Sequence, residues 1–348
     1  MKILIAGHWS WYQYEESFSI ALKELGYEVI QFNTSNYFKG KFGKIQQKLP
    51  FIGPALIKIN YDLIKIIKKE KPKIFLSWAC THILPYTFKK INNSGILTVT
   101  YNNDDPFAYK LNNHSPWNHY FYWHWYLKNL RVSQKNFFYR SINIVEAKKY
   151  GANHADILKP YFIQWKDYPI HLNNQEIEKL TCDLVFIGHY EPDNRVNYLR
   201  CLVQSNLKVK LYGGKYWTKE VLGNMFENFH PILPVYGSDY TKALSGAKIC
   251  LVFLSKINRD TYTRRCFEIP ASGLVMLAER TDDLINMFRE DEEACYFSNE
   301  FELIQKVQWL LENPEIRIQI GKAALKRVWK DKHDVISRAT EFINKCNL

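Results

Sequence analysis

The stretch from Asn258 to Ala278 carries charged residues whose spacing suits a phosphorylated ligand. Arg264 and Arg265 are adjacent, Glu268 follows three residues later, and a Ser-Gly pair then leads into a short apolar run. This order predicts a short helix, a turn and a buried strand. A helix N-terminus and guanidinium groups favour a phosphate, and a carboxylate one turn further in can accept hydrogen bonds from ribose hydroxyls. The stretch predicts a nucleoside diphosphate site; the alternative is an amphipathic helix whose arginines face water.

Polar side chains also stand where predicted strands end in the first half of the chain. They belong to His8, His82, Asn102, Asp104 and Asp105. In an open α/β sheet, ligands bind outside the carboxyl ends of the strands, so these side chains are expected to converge on one edge. A carboxylate or an imidazole there can orient a hydroxyl group or act as a general base. For the histidines, a structural role is the alternative.

The composition is that of an ordinary globular chain with an excess of positive charge. The 348 residues are 47% hydrophobic and 24% charged, and the net charge is +12. This length predicts two domains. The charge favours an anionic partner, which is a nucleotide-sugar, an acidic membrane surface or nucleic acid. The sequence has no RNA- or DNA-binding signature, so a nucleic-acid partner is not expected.

The cysteines and the apolar segments indicate in which cellular compartment the protein is expected. The seven cysteines are scattered and include no C-x-x-C pair, which favours reduced thiols. The apolar run after Met1 is too short for a signal peptide, and no stretch approaches the roughly 20 apolar residues of a membrane span. We therefore expect a cytoplasmic protein, with peripheral contact at the inner face of the membrane as a further option.

The elements that must position these residues follow one pattern in both halves of the chain. Apolar runs alternate with amphipathic segments, which is the βαβ pattern of a doubly wound parallel sheet. Strands are expected at 2–7, 28–32, 73–78, 96–101 and 142–145, and again at 182–188, 208–212, 248–254 and 274–277. This predicts an α/β protein with two Rossmann-like domains facing each other across a cleft, at 1–165 and 180–333. A last helix at 334–348 is expected to pack back onto the first domain.

Three segments of the second half carry a family resemblance. They are the motif FIGHYEPxxR at 186–195, the motif RxFExxAxG at 265–273, and His333 with Arg338 in the tail. These segments resemble the CgeB-like glycosyltransferases, which are GT-B glycosyltransferases of the group 1 type. The resemblance is clearest from about residue 183 to residue 340. It implies the GT-B fold, with the nucleotide-sugar donor bound by the second domain and the acceptor by the first.

The resemblance also implies roles for single residues. Glu268 matches a family glutamate that contacts the ribose, and Asp260 stands eight residues earlier, where the family has a second, longer glutamate. Arg195 matches a basic residue on the diphosphate; the alternatives are a helix-surface arginine and, for Glu268, a simple helix carboxylate. The expected donor-binding residues are Gly188, Arg195, Tyr212, Gly213, Arg264, Arg265 and Glu268. The catalytic candidates are Asp104, Asp105, Asp260 and His82, with His8 and Asn102 on the acceptor side.

The expected reaction moves a sugar from a UDP- or GDP-sugar to a glycan, lipid-linked or protein acceptor in cell-surface polysaccharide biosynthesis. Arginines can stabilise the leaving diphosphate, so neither a metal nor another cofactor is expected. Retention of configuration needs no protein base, because the diphosphate oxygen can take the acceptor proton, whereas inversion needs an acceptor-side Asp or His. The residues alone leave both outcomes open. A GT-B-shaped epimerase, a catalytically silent binding protein and, on charge alone, a nucleic-acid-binding protein are the alternatives.

Overall fold

The computed structural model describes residues 1–110 and 116–347, which form two units with one parallel sheet each. Unit 1 comprises Met1–Pro160 and Val335–Leu348, and unit 2 comprises Tyr161–Asp334. Leu348, the last residue of the predicted C-terminal helix, lies outside the described residues.

Unit 1 is built on a six-stranded parallel sheet. The order of its strands is β2-β1-β3-β4-β5-β6. Crossover helices cover both faces of such a sheet, so its strands are apolar on both sides, and β1 is buried from Ile3 to Gly7. The strands are β1 (Lys2–Gly7), β2 (Glu28–Asn33), β3 (Ile74–Trp78), β4 (Leu97–Asn102), β5 (Lys135–Phe138) and β6 (Ala155–Ile157).

The helices of the first 160 residues connect these strands. A π-helical turn at Tyr12–Glu16 leads into the first of them. They are α1 (Ser17–Glu24), α2 (Gly40–Lys48), α3 (Pro54–Glu70), α4 (Pro85–Asn92), α5 (His119–Tyr122), α6 (His124–Asn129) and α7 (Ser141–Lys149).

The strand predicted at 142–145 is wrong. These residues lie in α7, and the strand of this region is β5 at Lys135–Phe138. Ile142 and Val145 are 46% and 55% exposed, whereas Asn143 and Ala147 are fully buried. The buried positions are four residues apart, which is the spacing of one helix face. A short run of β-branched residues does not reveal this spacing, because it fits a strand equally well.

Unit 2 is built on a five-stranded parallel sheet with the order β11-β10-β9-β7-β8. Along β7, Leu184 and Phe186 pack into one core while Val185 and Ile187 pack into another, so the sheet has a hydrophobic layer on each face. β11, like β6 of unit 1, has only three residues and was not predicted. The strands are β7 (Cys182–Ile187), β8 (Val209–Tyr212), β9 (Ala247–Val252), β10 (Met276–Glu279) and β11 (Cys295–Phe297).

The helices of unit 2 run from the capped start of α8 to the end of α16. They are α8 (Asn174–Leu180), α9 (Arg195–Gln204), α10 (Lys219–Leu222), α11 (Phe226–Phe229), α12 (Gly237–Ser245), α13 (Arg265–Ala271), α14 (Asp282–Met287), α15 (Glu300–Glu312) and α16 (Pro314–Lys330). None of the helices in residues 1–110 and 116–347 is long and apolar enough to cross a membrane.

The C-terminal helix α17 (Val335–Lys345) belongs to unit 1. Its Phe342 packs edge-on against Phe18 of α1 and Phe137 of β5, with ring centroids 5.6 and 5.8 Å apart. The Lys345 ammonium also donates to the Ile157 carbonyl oxygen at 2.6 Å. α17 is therefore tied to the sheet of unit 1 by aromatic packing and by a hydrogen bond.

Each sheet has one point where the strand order reverses. In unit 1 this point lies between β1 and β3, and in unit 2 it lies between β7 and β9. The two crossovers beside it leave in opposite directions, which opens a crevice at the carboxyl ends of the two strands. The residues that follow these four strands are therefore the first place to look for a site.

Candidate functional site

Gly188 forms a tight turn directly after β7, at the reversal point of unit 2. A Cβ atom on Gly188 would lie 3.1 Å from Nη2 of Arg265, so the Arg265 guanidinium lies against this turn. A Cβ atom on Gly213, which follows β8, would lie 2.5 Å from the Gly188 carbonyl oxygen. That oxygen accepts a hydrogen bond from Nε1 of Trp217 at 2.8 Å. The two glycines therefore let the ends of β7 and β8 and one arginine approach closely.

Arg265 is the cationic side chain of this region that remains available to a ligand. It is half-buried, and within the described part of the chain no hydrogen bond or ion pair engages its side chain. The main-chain N–H groups of Phe267 and Glu268 both donate to the Arg264 carbonyl oxygen, at 3.0 and 3.2 Å. An anion at the start of α13 would therefore meet the Arg265 guanidinium rather than those N–H groups.

Arg195, the other predicted diphosphate ligand, is 4% exposed and stabilises the loop after β7. Its Nε and Nη2 donate to the two carboxylate oxygens of Asp193, at 2.7 and 2.6 Å, and its Nη1 donates to the His189 carbonyl oxygen at 2.6 Å. Glu191 accepts from the Ser255 hydroxyl at 3.0 Å, which joins this loop to the end of β9. Arg195 thus shapes the loop, and its contact with a diphosphate stays a prediction.

Glu268 lies in a buried ionic network, which we define as Glu268, Arg264, Tyr240, Lys166 and Asp167. Glu268 is 6% exposed. Its Oε1 accepts from Nε of Arg264 and its Oε2 from the Tyr240 hydroxyl, both at 2.8 Å. Burial alone would raise the pKa of Glu268, but the charges of Arg264 and Lys166 and the Tyr240 hydrogen bond hold it below its ordinary value. Glu268 is therefore a carboxylate kept ionised in a poorly hydrated place.

Lys166 and Asp167 complete the buried ionic network. The Lys166 ammonium pairs with Asp167, lies 3.9 Å from Oε1 of Glu268 and stands 4.9 Å from the centre of the Tyr240 ring. Asp167 also accepts from the Ile163 main-chain N–H at 2.8 Å, and burial, together with the Glu268 charge, raises the pKa of Asp167. Lys166 and Asp167 lie between the two predicted domains, at 1–165 and 180–333, so they were not predicted as site residues. No local pattern marks them.

Asp260 and Tyr212 are half-buried in the same unit. The Asp260 main-chain N–H donates to the Ser255 carbonyl oxygen at 2.8 Å, so Asp260 lies beside the segment that follows β9. Burial raises the pKa of the Cys266 thiol to about 12, and the Asp260 charge adds to this rise, which places Asp260 near the start of α13. Burial also raises the pKa of Tyr212. Sugar or nucleotide contacts of these two residues stay predictions.

The two histidines of unit 1 occupy different environments. His82 is 2% exposed, and burial lowers its pKa to about 4. Its Nε2 bonds to the Gln46 carbonyl oxygen at 2.8 Å, and its Nδ1 bonds to the Thr81 hydroxyl at 2.9 Å. Both ring nitrogens are thus engaged inside the unit, which fits a structural role better than a catalytic one. His8 is half-buried at the end of β1, and its main-chain N–H donates to Oε1 of Glu15 at 2.8 Å.

The adjacent carboxylates Asp104 and Asp105, which follow β4, also differ in their surroundings. Asp105 is 3% exposed, and its Oδ1 accepts from the main-chain N–H groups of Phe107 and Ala108 and from the Asn143 side chain. Asp105 therefore holds the turn that follows the strand. Asp104 is half-buried, and its main-chain N–H donates to the fully buried Asn102 side chain at 3.1 Å. Of the two, Asp104 has the greater access to a substrate.

No cluster of three or more His, Cys, Asp or Glu side chains in the described residues is arranged to hold a metal ion. The arrangement in unit 2 instead offers one cation at a glycine turn and an ionised carboxylate one helical turn away. This pair can bind a diphosphate and a neighbouring polar group.

Substitution of Gly213 tests the close approach of β7 and β8. We expect Gly213→Ala to lower the free energy of unfolding by about 1–3 kcal/mol, because the new Cβ would overlap a carbonyl oxygen that cannot move freely. Gly214→Ala is the matched control, since a Cβ there has nothing within 4 Å. It should change the stability by less than about 0.5 kcal/mol. Urea unfolding measures both, and equal losses would contradict the packing described here.

Residues 195–344 match the family described as glycosyl transferase-like. No curated protein has a significant sequence match to the chain. Sucrose-phosphate synthase from Thermosynechococcus elongatus has a TM-score of 0.71 at 11% identity, over 99% of this chain and 98% of that one.

Two further solved structures are similar over their full length. Anabaena HepE in complex with UDP and glucose has a TM-score of 0.66 at 10% identity, over 100% of this chain and 99% of that one. A glycosyltransferase from Rickettsia africae has a TM-score of 0.66 at 14% identity, over 99% and 97%. These likenesses confirm the predicted α/β fold. The family match covers residues 195–344, so this carboxyl-terminal part of the chain is glycosyl transferase-like, and the structural likenesses show the fold.

Proposed function

We propose that unit 2 binds a nucleoside diphosphate sugar and that the sugar passes to a glycan, lipid-linked or protein acceptor recognised by unit 1. One observation carries this proposal: Arg265 is half-buried, lies against the Gly188 turn and has no side-chain hydrogen bond or ion pair with the described residues. Transfer leaves negative charge on the departing diphosphate, and a guanidinium already in place stabilises it without reorganisation. The Anabaena HepE structures with UDP and with UDP-glucose support a nucleotide-sugar as the donor class.

In this proposal Glu268 accepts hydrogen bonds from the ribose. Each of its oxygens already accepts one hydrogen bond, from Arg264 or from Tyr240. A carboxylate has about four acceptor positions, so two remain for hydroxyl groups. Because its pKa is lowered, Glu268 stays charged at neutral pH, and a hydrogen bond to a charged acceptor is the stronger kind.

On the acceptor side we propose that Asp104 and His8 contact the acceptor hydroxyl, because both are half-buried, whereas Asp105 and His82 are 3% and 2% exposed. We favour retention of configuration, in which the diphosphate takes the acceptor proton and Asp104 orients the hydroxyl. We place the protein in the cytoplasm, in the assembly of cell-surface polysaccharide.

Thermal unfolding with added nucleotides tests the donor site. We expect UDP or GDP to raise the Tm, since a ligand at 100 times its Kd adds about 2.7 kcal/mol of stability. Uridine or guanosine, which lacks the diphosphate, should give a much smaller rise, and an RNA oligonucleotide should give none. The Arg265→Ala variant should lose the difference between the nucleotide and the nucleoside. A wild type that responds to no nucleotide, or equally to RNA, contradicts the proposal.

A further inference from the structure

The positive charge of the chain is concentrated in one segment of unit 1. Residues 39–71 contain nine lysines and two acidic residues, a net charge of +7 in a chain whose net charge is +12. The segment includes α2 and α3. Its lysines are more than 100 residues before Gly188 in the sequence. The function proposed for unit 2 does not account for this concentration of charge.

Large apolar side chains are exposed among these lysines. On α2, Phe42 is 55% exposed and Ile45 is 50% exposed, and in the turn that follows, Phe51 is 41% and Ile52 is 67% exposed. The Phe42 and Phe51 rings are 6.0 Å apart, so the helix and the turn present one continuous apolar ridge. The exposed lysines beside the ridge are Lys39, Lys41, Lys44 and Lys48.

The opposite side of α2 is packed against unit 1. Gln46 is 2% exposed, and its Oε1 accepts from the Ala55 main-chain N–H at 3.1 Å. A Cβ on Gly43 would lie 2.6 Å from the Phe38 carbonyl carbon, so the helix sits close to the preceding chain. The exposure of Phe42 and Ile45 is therefore built into a well-packed helix.

A second exposed aromatic segment adjoins this ridge. The Asn118 side chain donates to the Lys48 carbonyl oxygen, and Nε1 of Trp125 donates to the Pro50 carbonyl oxygen. These bonds hold both ends of the 117–125 segment beside the end of α2 and the turn that follows it. The exposed residues it adds are Trp117, Tyr120 and Phe121, at 69%, 61% and 59%.

We propose that this surface, consisting of α2, residues 49–53 and residues 117–121, docks unit 1 on an anionic lipid bilayer. Lysines are attracted to acidic headgroups, while Phe and Ile enter the boundary of the acyl chains and Trp and Tyr favour the headgroup level. Lysine is depleted in protein–protein interfaces, which makes a protein partner a poorer fit. A nucleic-acid backbone attracts lysines but offers nothing to exposed aliphatic side chains.

Co-sedimentation of the full chain with lipid vesicles tests this docking. We expect binding to phosphatidylcholine vesicles that contain about one third phosphatidylglycerol, and at least tenfold weaker binding to pure phosphatidylcholine. Raising the salt should weaken the binding, since the attraction of the lysines is screened.

Two independent variants separate charge from apolar contact. The triple variant Lys41→Ala, Lys44→Ala, Lys48→Ala should bind about 100-fold more weakly, because each lysine near an anionic surface contributes about fivefold. The double variant Phe42→Ser, Ile45→Ser should bind at least tenfold more weakly. All these side chains are exposed, so the Tm should be retained.

Matched controls come from unit 2. The triple variant Lys322→Ala, Lys326→Ala, Lys330→Ala on α16 removes the same charge from exposed positions, and Phe301→Ser removes a side chain that is 72% exposed. Both should bind vesicles like the wild type.

The docking proposal is overturned if the wild type does not bind the acidic vesicles, or if the α16 variant loses as much binding as the α2 variant. It is also overturned if Phe42→Ser, Ile45→Ser leaves vesicle binding intact. Nucleotide-induced stabilisation is measured without vesicles, so it succeeds or fails separately.

Discussion

Replacement of Arg265 by alanine is expected to lower the rate of nucleotide release from the sugar donor about 100- to 1,000-fold, with little effect on stability. This is the cost of removing one preorganised group that stabilises a developing negative charge. The Arg265 side chain has no hydrogen-bond or ion-pair partner among the described residues, so its loss leaves no buried charge unpaired. The free energy of unfolding should therefore change by less than about 0.5 kcal/mol.

The assay uses a nucleotide-sugar that raises the Tm of the wild type. It measures the rate at which the nucleotide is released when this donor is saturating. Arg265→Lys keeps the charge but loses the planar fork, so it should recover part of the rate. Arg200→Ala is the control, because Arg200 is an exposed arginine whose side chain bonds to Asn197 within α9. Full activity of Arg265→Ala would remove Arg265 from the donor site.

Replacement of Glu268 by alanine is expected to cost about 3–5 kcal/mol of stability and to abolish nucleotide binding. Removing one partner of a buried ion pair is strongly destabilising, and here Arg264 loses the carboxylate bound to its Nε, while Lys166 keeps Asp167. The Tyr240 hydroxyl also loses its acceptor. Glu268→Gln keeps the size and an acceptor oxygen, so it should cost less in stability while still weakening the grip on ribose.

The pH dependence gives a second measurement on Glu268. The pKa of Glu268 is lower in the folded chain than its ordinary value of 4.5, so its contribution is complete above that value. The contribution is lost as the pH falls through the folded pKa. The stability difference between the wild type and Glu268→Gln should therefore shrink in acid. Glu227→Ala, at a side chain that is 74% exposed, is the control and should cost less than about 0.5 kcal/mol. A Glu268→Ala chain as stable as this control would show that the network contributes nothing.

Local pattern was sufficient for most elements of both sheets. β1 at Lys2–Gly7 has the predicted bounds, because a continuous apolar run depends only on neighbours in the chain. The same local order placed Arg265 and Glu268 at the start of a short helix after a strand. Where the local signal was ambiguous, as at 142–145, the prediction failed, because the period of burial there depends on packing partners.

By itself, the sequence determined the βαβ pattern, the short helix with its arginines and carboxylate, and the concentration of lysines near the amino terminus. Only the tertiary structure decided which of these charges a ligand can reach. Arg195 is held by Asp193 and Arg264 by Glu268, while Arg265 is left for a ligand. Lys166 and Tyr240 reach Glu268 across more than 20 positions of chain. The spacing along the chain does not indicate such contacts, because they form only when segments distant in the chain pack together.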